Sequence, residues 1–230
     1  MHMPLNAVHF DLDGTLLDTL PDIAAAINAM RQDFGEPPLA QDTIAVHVGK
    51  GSDTLVARIL GLGGRHPGPL QQARALDRYL AHYARLNGRE ARLYPGVVAG
   101  LRLFRDHGCA MAVVTNKPTA FTHPLLEQFE LLDYFDAIVC GDTCATKKPD
   151  PAPLLHACTL LNEPAENTLF IGDSINDALA AQAAGMRMLA LPYGYNEGRS
   201  AHTLPADAVV DTLEDAAAWA LDTAMQGKVP

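Results

Sequence analysis

The chain has 230 residues, 48% hydrophobic and 19% charged, an ordinary balance for a folded protein and enough length for one large domain or a core with a smaller module. Its formal net charge of -10 and lack of any basic run exclude nucleic acid as the main ligand, because binding a phosphate backbone draws on clustered Lys and Arg. It shows no basic region followed by a long apolar stretch and no run near the ~20 apolar residues that span a bilayer, so a cytoplasmic protein with no membrane association is expected.

Taken in chain order, Ala7-Val8-His9-Phe10 is short, apolar and β-prone and runs straight into an Asp-rich loop, as a buried strand ending in a functional loop would. From about Leu20 to Leu93 the apolar spacing is helical, over Asp22 to Phe34, Gln41 to Leu60 and Leu70 to Asn87, with no convincing strand and a Gly- and Pro-rich break from Gly61 to Pro69. After Tyr94-Pro95-Gly96, strand candidates at Ala110 to Val114, Ala137 to Cys140, Thr168 to Ile171, Met186 to Leu191 and Ala208 to Val210 alternate with helical patterns. Those helices fall at Gly96 to Asp106, Ala120 to Phe129, Pro151 to Leu161 and Asn176 to Ala184. This alternation predicts an α/β fold, a Rossmann-like doubly wound and mostly parallel sheet, with an inserted helical domain. The expected boundaries are a core of residues 1–18 and 94–230 and a helical cap of residues 19–93. The four cysteines show no Cys-x-x-Cys spacing, and Cys140 and Cys144 lack a matching His or Cys pair, so reduced thiols and no zinc site are expected.

Polar residues collect where these strands end: Asp11 and Asp13 after the first, Thr115-Asn116-Lys117 after the second, Lys147-Lys148-Pro149 beyond the third, and Gly172-Asp173 after the fourth. Parallel strands share one C-terminal rim, where ligands of open sheets bind, so these groups should converge. Asp11, Asp13 and Asp173, with Asp177 a further member, would then crowd several carboxylates into one pocket, a repulsion that a hard divalent ion relieves. Oxygen-only donors select Mg²⁺ over zinc. A carboxylate nucleophile, hydroxyl and amide donors, a lysine and a metal are what phosphoryl transfer needs. Asp11 is the natural nucleophile, giving an aspartyl-phosphate, and Asp13 the acid/base that protonates the leaving oxygen and then activates water.

The motifs Asp11-Leu12-Asp13-Gly14-Thr15, Thr115-Asn116-Lys117, Lys148-Pro149 and Gly172-Asp173-Ser174-Ile175-Asn176-Asp177 occur in an order that resembles the haloacid dehalogenase-like hydrolase superfamily, over essentially the whole chain. The resemblance implies Asp11 as nucleophile, Asp13 as acid/base with its backbone carbonyl on Mg²⁺, and Asp11 and Asp173 as further metal ligands. It also implies Thr115, Asn116 and Lys148 on the phosphate, and Asp177 orienting water on the metal. Lys148, directly before proline, fits the pattern better than Lys147. Asp18 and Thr19, where the chain leaves the core, are expected to serve as a hinge or helix cap.

The substrate expected from these motifs is a small phosphomonoester, because Asp13 speaks against the dehalogenating and phosphonate-cleaving branches. The segment Val48 to Leu55, with Lys147 to Leu155 and Tyr193-Gly194-Tyr195-Asn196, looks most like the bacterial phosphoglycolate phosphatase branch, which implies 2-phosphoglycolate as substrate. Lys50, between Gly49 and Gly51, either faces solvent or closes over the pocket to neutralise a substrate carboxylate. Alternatives are a sugar-phosphate phosphatase, for example for N-acetylmuramate 6-phosphate, a sugar-phosphate mutase, and a catalytically silent phosphate-binding regulator. The oligomeric state is left open.

Overall fold

The computed structural model describes residues 5–225; Met1 to Pro4, part of the stretch read above for a leader, and Gln226 to Pro230 lie outside the described residues. Strands β1 (Ala7–Phe10), β4 (Ala110–Val114), β5 (Ala137–Val139), β6 (Thr168–Gly172), β7 (Arg187–Ala190) and β8 (Ala208–Val209) form a sheet in the order β5-β4-β1-β6-β7-β8. Every neighbouring pair is parallel. The earliest strand therefore lies inside the sheet, and the order reverses beside it. Loops leaving β1, β4, β5 and β6 meet on one rim.

The strands are short apolar runs because both sheet faces are covered. Alternate residues take opposite faces. Val8, Phe10, Met111, Val113, Leu169 and Ile171 pack with α5 (Val97–Asp106), α6 (Thr119–Gln128) and α9 (Leu213–Met225). Ala112, Val114, Phe170, Met188 and Ala190 pack with α7 (Ala152–Leu161) and α8 (Ile175–Ala184). The final helix, α9, was not among the predicted elements, although its buried Leu213, Ala216, Ala217, Ala220 and Leu221 recur at helical spacing.

The long helical segment consists of α1 (Leu20–Asp33), α2 (Gln41–Ala45), α3 (Ser52–Leu60) and α4 (Pro69–Leu86), with an apolar cluster built on Ile23, Ile27, Met30, Leu55, Ile59, Tyr79 and Tyr83 that Phe121 and Tyr195 join from outside it. Two predictions need correction there. The pattern over Gln41 to Leu60 is two helices, because Gly49 (φ +109°) and Gly51 (φ +87°) turn the chain through a backbone region that ends a helix. The segment is also bracketed by a two-stranded antiparallel ribbon, β2 (Leu17–Asp18) and β3 (Arg92–Leu93). Two residues are too few to show a period. The return is pinned by buried Asp22, whose carboxylate accepts N–H groups from Gly88 (2.8 Å), Glu90 (2.8 Å) and Ala91 (3.2 Å).

Candidate active site

The strand-end loops do converge. Asp11 continues the β1 pairing, its N–H donating to the Ile171 carbonyl at 3.0 Å, before the chain tightens into a turn in which Leu16 N–H bonds the Leu12 carbonyl and Gly14 N–H bonds that of Leu17. Gly14 has φ +90°, and a Cβ there would lie 2.6 Å from Asp173 Oδ2, so the turn and the approach of Asp173 both require glycine. Asp173, after β6, accepts from Thr15 Oγ1 (2.7 Å) and from the Tyr195 N–H (2.6 Å). Asp177 sits in the first turn of α8, where its Oδ2 accepts from the backbone N–H groups of Asp173 and Ser174 and from Ser174 Oγ. Anchored in this way, a carboxylate also complements the helix N-terminus.

Oxygens of Asp11, Asp173 and Asp177 lie within 4.8 Å of one another. All three residues are buried. Beside them the Lys148 ammonium, before a cis Pro149, donates to the Val114 carbonyl at 2.7 Å and stands 3.0 Å from Asp11 Oδ1 and 2.6 Å from Asp177 Oδ1. One cation against three carboxylates leaves an excess of negative charge. Burial, opposed by Lys148 but reinforced by Asp177 and Asp13, pushes the Asp11 carboxyl up to about 7. Burial, reinforced by Asp177 and Asp11 and opposed by the bonds from Thr15 and the Tyr195 N–H, holds that of Asp173 well above the usual range. Burial would pull the Lys148 ammonium down, yet Asp11 and Asp177 keep it above its ordinary value. An oxygen-only triad with unbalanced charge could hold a metal ion.

Asp13 stands apart from this triad. Its Oδ1 accepts from Thr19 Oγ1 at 2.7 Å and from Lys117 Nζ at 2.8 Å, and Lys117 also donates to the Tyr83 hydroxyl at 2.5 Å. The carboxylate of Asp13 is thus outside the cluster that sequence reasoning drew around it. Thr19 makes no side-chain cap on α1; its hydroxyl serves Asp13 instead. Asp18 does act locally at the segment's entry, accepting from the Leu20 N–H and from the Tyr195 hydroxyl.

Thr115 and Asn116 reach the rim, but the Asn116 side chain is a crosspiece. It donates to the Gly49 and Lys148 carbonyls (2.9 Å each) and accepts from the Lys148 N–H at 2.9 Å. Lys147 is not brought to the triad and pairs with Asp53 of α3 at 2.9 Å. Lys50, for which solvent and the pocket were both open, is held by Glu197 at 2.9 Å; it borders an open groove shared with Lys147 and Asp53. Arg58 and Arg199 share that carboxylate. The cleft onto which Asp11 and Asp13 open is closed on its far side by Ile23, Val48, Ser52, Leu55 and Tyr79. The contributions of Thr15, Lys117, Tyr83 and Glu197 were not assigned from sequence. Thr15 and Lys117 lay within the motifs, whereas no local signal marked Tyr83 or Glu197.

With this geometry, the chain matches the family model of haloacid dehalogenase-like hydrolases over residues 5–185 and belongs to that family, making it a hydrolase. Over 220 residues it is 48% identical to the phosphoglycolate phosphatase of Nitrosospira multiformis, covering 94% of this chain and 96% of that one. The phosphoglycolate phosphatase of Thiobacillus denitrificans is 45% identical over 216 residues, 94% of this chain and 95% of its own. Among solved structures, a predicted phosphoglycolate phosphatase from Haemophilus somnus 129PT superposes with a TM-score of 0.88 at 30% identity, covering 94% of this chain and 98% of that one.

Proposed function

We propose that the chain is a Mg²⁺-dependent phosphomonoester hydrolase whose substrate is 2-phosphoglycolate, released as glycolate and phosphate. The observation that carries this reading is the buried Asp11, Asp173 and Asp177 triad with Lys148 in contact, beside a separately held Asp13. The phosphoglycolate phosphatases at 45–48% identity support the substrate.

In this reading Asp11, the Asp13 backbone carbonyl and Asp173 would hold Mg²⁺, an assignment that suits hard oxygen donors with raised carboxyl pKa values. Asp177 orients water there and steadies Lys148. Bound Mg²⁺ supplies positive charge that keeps these carboxylates ionised and offsets charge on the phosphoryl oxygens. Thr115, the Asn116 backbone and Lys148 hold the phosphate. An Asp11 oxygen attacks phosphorus, the bond to the ester oxygen breaks, and Asp13 gives its proton to that oxygen. Asp13 then takes a proton from water, which attacks the aspartyl-phosphate, releases phosphate and restores Asp11. Residues 1–18 and 94–230 act as catalytic core and residues 19–93 as a helical cap. Among the described residues no helix is long and apolar enough to cross a membrane, and we place the enzyme in the cytoplasm.

Phosphate release from 2-phosphoglycolate, measured with Mg²⁺ and with a chelator, tests this reading. Activity that needs Mg²⁺ and disappears in Asp11→Asn is expected. Activity persisting in Asp11→Asn overturns the nucleophile.

A further inference from the structure

Of the described residues that line the cleft containing Asp11 and Asp13, Lys117 alone carries a positive charge. The Lys148 ammonium is engaged by the Val114 carbonyl, Asp11 and Asp177, at the phosphate end of the proposed site. Lys50 is turned to Glu197. Lys117 is held from both sides: its ammonium bonds Asp13 at 2.8 Å and the Tyr83 hydroxyl at 2.5 Å, and it lies 4.7 Å from the centre of the Tyr83 ring. Tyr83 is fixed in turn by stacking on Tyr79, 5.5 Å away and nearly parallel. The Lys117 side chain is 3% exposed. A cation so dry and so fixed has a narrow choice of partners, and its field in the cleft is little screened.

We propose that Lys117 is the specificity-determining cation of this site, recognising a carboxylate carried one carbon from the ester oxygen of the substrate. The inference rests on the phosphatase reading above and assigns its substrate class, the phosphate esters of 2-hydroxy acids. Connectivity is the reason. The acid that protonates the leaving oxygen must touch that oxygen, and Asp13 also touches Lys117. In an O–CH₂–COO⁻ tail the carboxylate is joined to the leaving oxygen through a single methylene, so a group recognising it belongs beside the acid. Lys117 is there, with three ammonium donors of which Asp13 and Tyr83 take two. The apolar walls at Ile23 and Leu55 suit the methylene. Lys50, the other lysine open to this task, would have to abandon Glu197 to reach it.

The test compares kcat/KM for 2-phosphoglycolate and for ethyl phosphate, which has the same length and no carboxylate, in the wild type, Lys117→Met, Lys117→Arg and Lys50→Ala. The wild type should favour 2-phosphoglycolate. Lys117→Met should cut that preference at least tenfold, mainly through KM for 2-phosphoglycolate, while Lys117→Arg restores part of it and Lys50→Ala keeps it. Lys117→Gln replaces the methionine variant if that one fails to fold. An equal loss on both substrates in Lys117→Met would show that Lys117 only positions Asp13 and overturns the proposal, as does a loss of preference confined to Lys50→Ala. A wild type hydrolysing ethyl phosphate as well as 2-phosphoglycolate overturns the proposal and leaves the phosphatase reading standing; one that hydrolyses neither overturns that reading first.

Discussion

Replacing His9 with leucine should make the protein more resistant to acid. His9 is the third residue of β1, fully buried between Ala112 of β4 and Phe170 of β6, and among the described residues neither ring nitrogen has a hydrogen-bond partner. Burial drives its pKa down from 6.5 to about 3. A base whose folded pKa is depressed leaves stability intact above the unfolded value and erodes it as pH falls below that value, because the unfolded chain takes up the proton more readily. At pH 5, one and a half units below the unfolded pKa, the loss from this one ring is about 2 kcal/mol, and at pH 7.5 it is near zero. The assay is urea denaturation of wild type and His9→Leu at pH 7.5 and 5.0, with Mg²⁺ in excess so that the carboxylate cluster contributes alike to both. Wild type should lose about 2 kcal/mol more than the variant between the two conditions. At pH 7.5 the variant should already be the more stable by about 1 kcal/mol, since it no longer buries two unpaired polar atoms. An identical pH dependence in the two proteins would refute the claim that the ring is buried neutral and unpartnered.

Metal affinity should follow the Asp11 carboxyl, which burial, against Lys148 and with Asp177 and Asp13, raises to about 7. A raised acid stabilises the metal-free protein below its unfolded pKa and loses that contribution as pH rises through about 7, whereas Mg²⁺ needs the ionised form. Titration calorimetry should show tighter Mg²⁺ binding at pH 8 than at pH 6, with proton release; a Kd independent of pH would sink this account. In a separate test, Asp22→Ala leaves the N–H groups of Gly88, Glu90 and Ala91 without their acceptor and should destabilise by about 3 kcal/mol in urea melts. A loss below about 1 kcal/mol would show that those amides find other partners.

The parts legible in the sequence are those in which one local pattern carries both strand and chemistry. Ala7 to Phe10 reads as a buried strand, so Asp11 had to emerge at its end, and the same logic located Thr115 and Asp173. Direction was not legible. Lys50 and Lys117 are both lysines beside glycine or a strand end, and what separates them is Glu197 for one and Tyr83 for the other, partners distant in sequence that only packing of the helical segment brings near. Asn116 likewise read as a phosphate donor, while its amide is taken by Gly49 and Lys148. His9 passed unremarked because a histidine inside a strand gives no sign of which face it takes or what meets it there.

Asp13 shows why the helical segment matters to the chemistry as well as to the substrate. Its backbone belongs to the loop after β1, but its carboxylate is set by Thr19, at the entry to that segment, and by Lys117, which Tyr83 of α4 holds. Of these contacts the one between Lys117 and Tyr83 requires the segment to pack against the rim, and through Lys117 it steadies the residue proposed as acid/base. Asp11 and Asp173 depend on no such contact: Asp11 extends the β1 pairing and Asp173 is fixed by Thr15 and Tyr195. On the proposed reading, a motion that lifted α4 from the rim would leave Asp11 and the carboxylate cluster in place and take from Lys117, and so from Asp13, the support of Tyr83. Substrate tail and leaving-group protonation would then be read by the same closure, so that a phosphate ester lacking the right tail meets a nucleophile without a positioned acid.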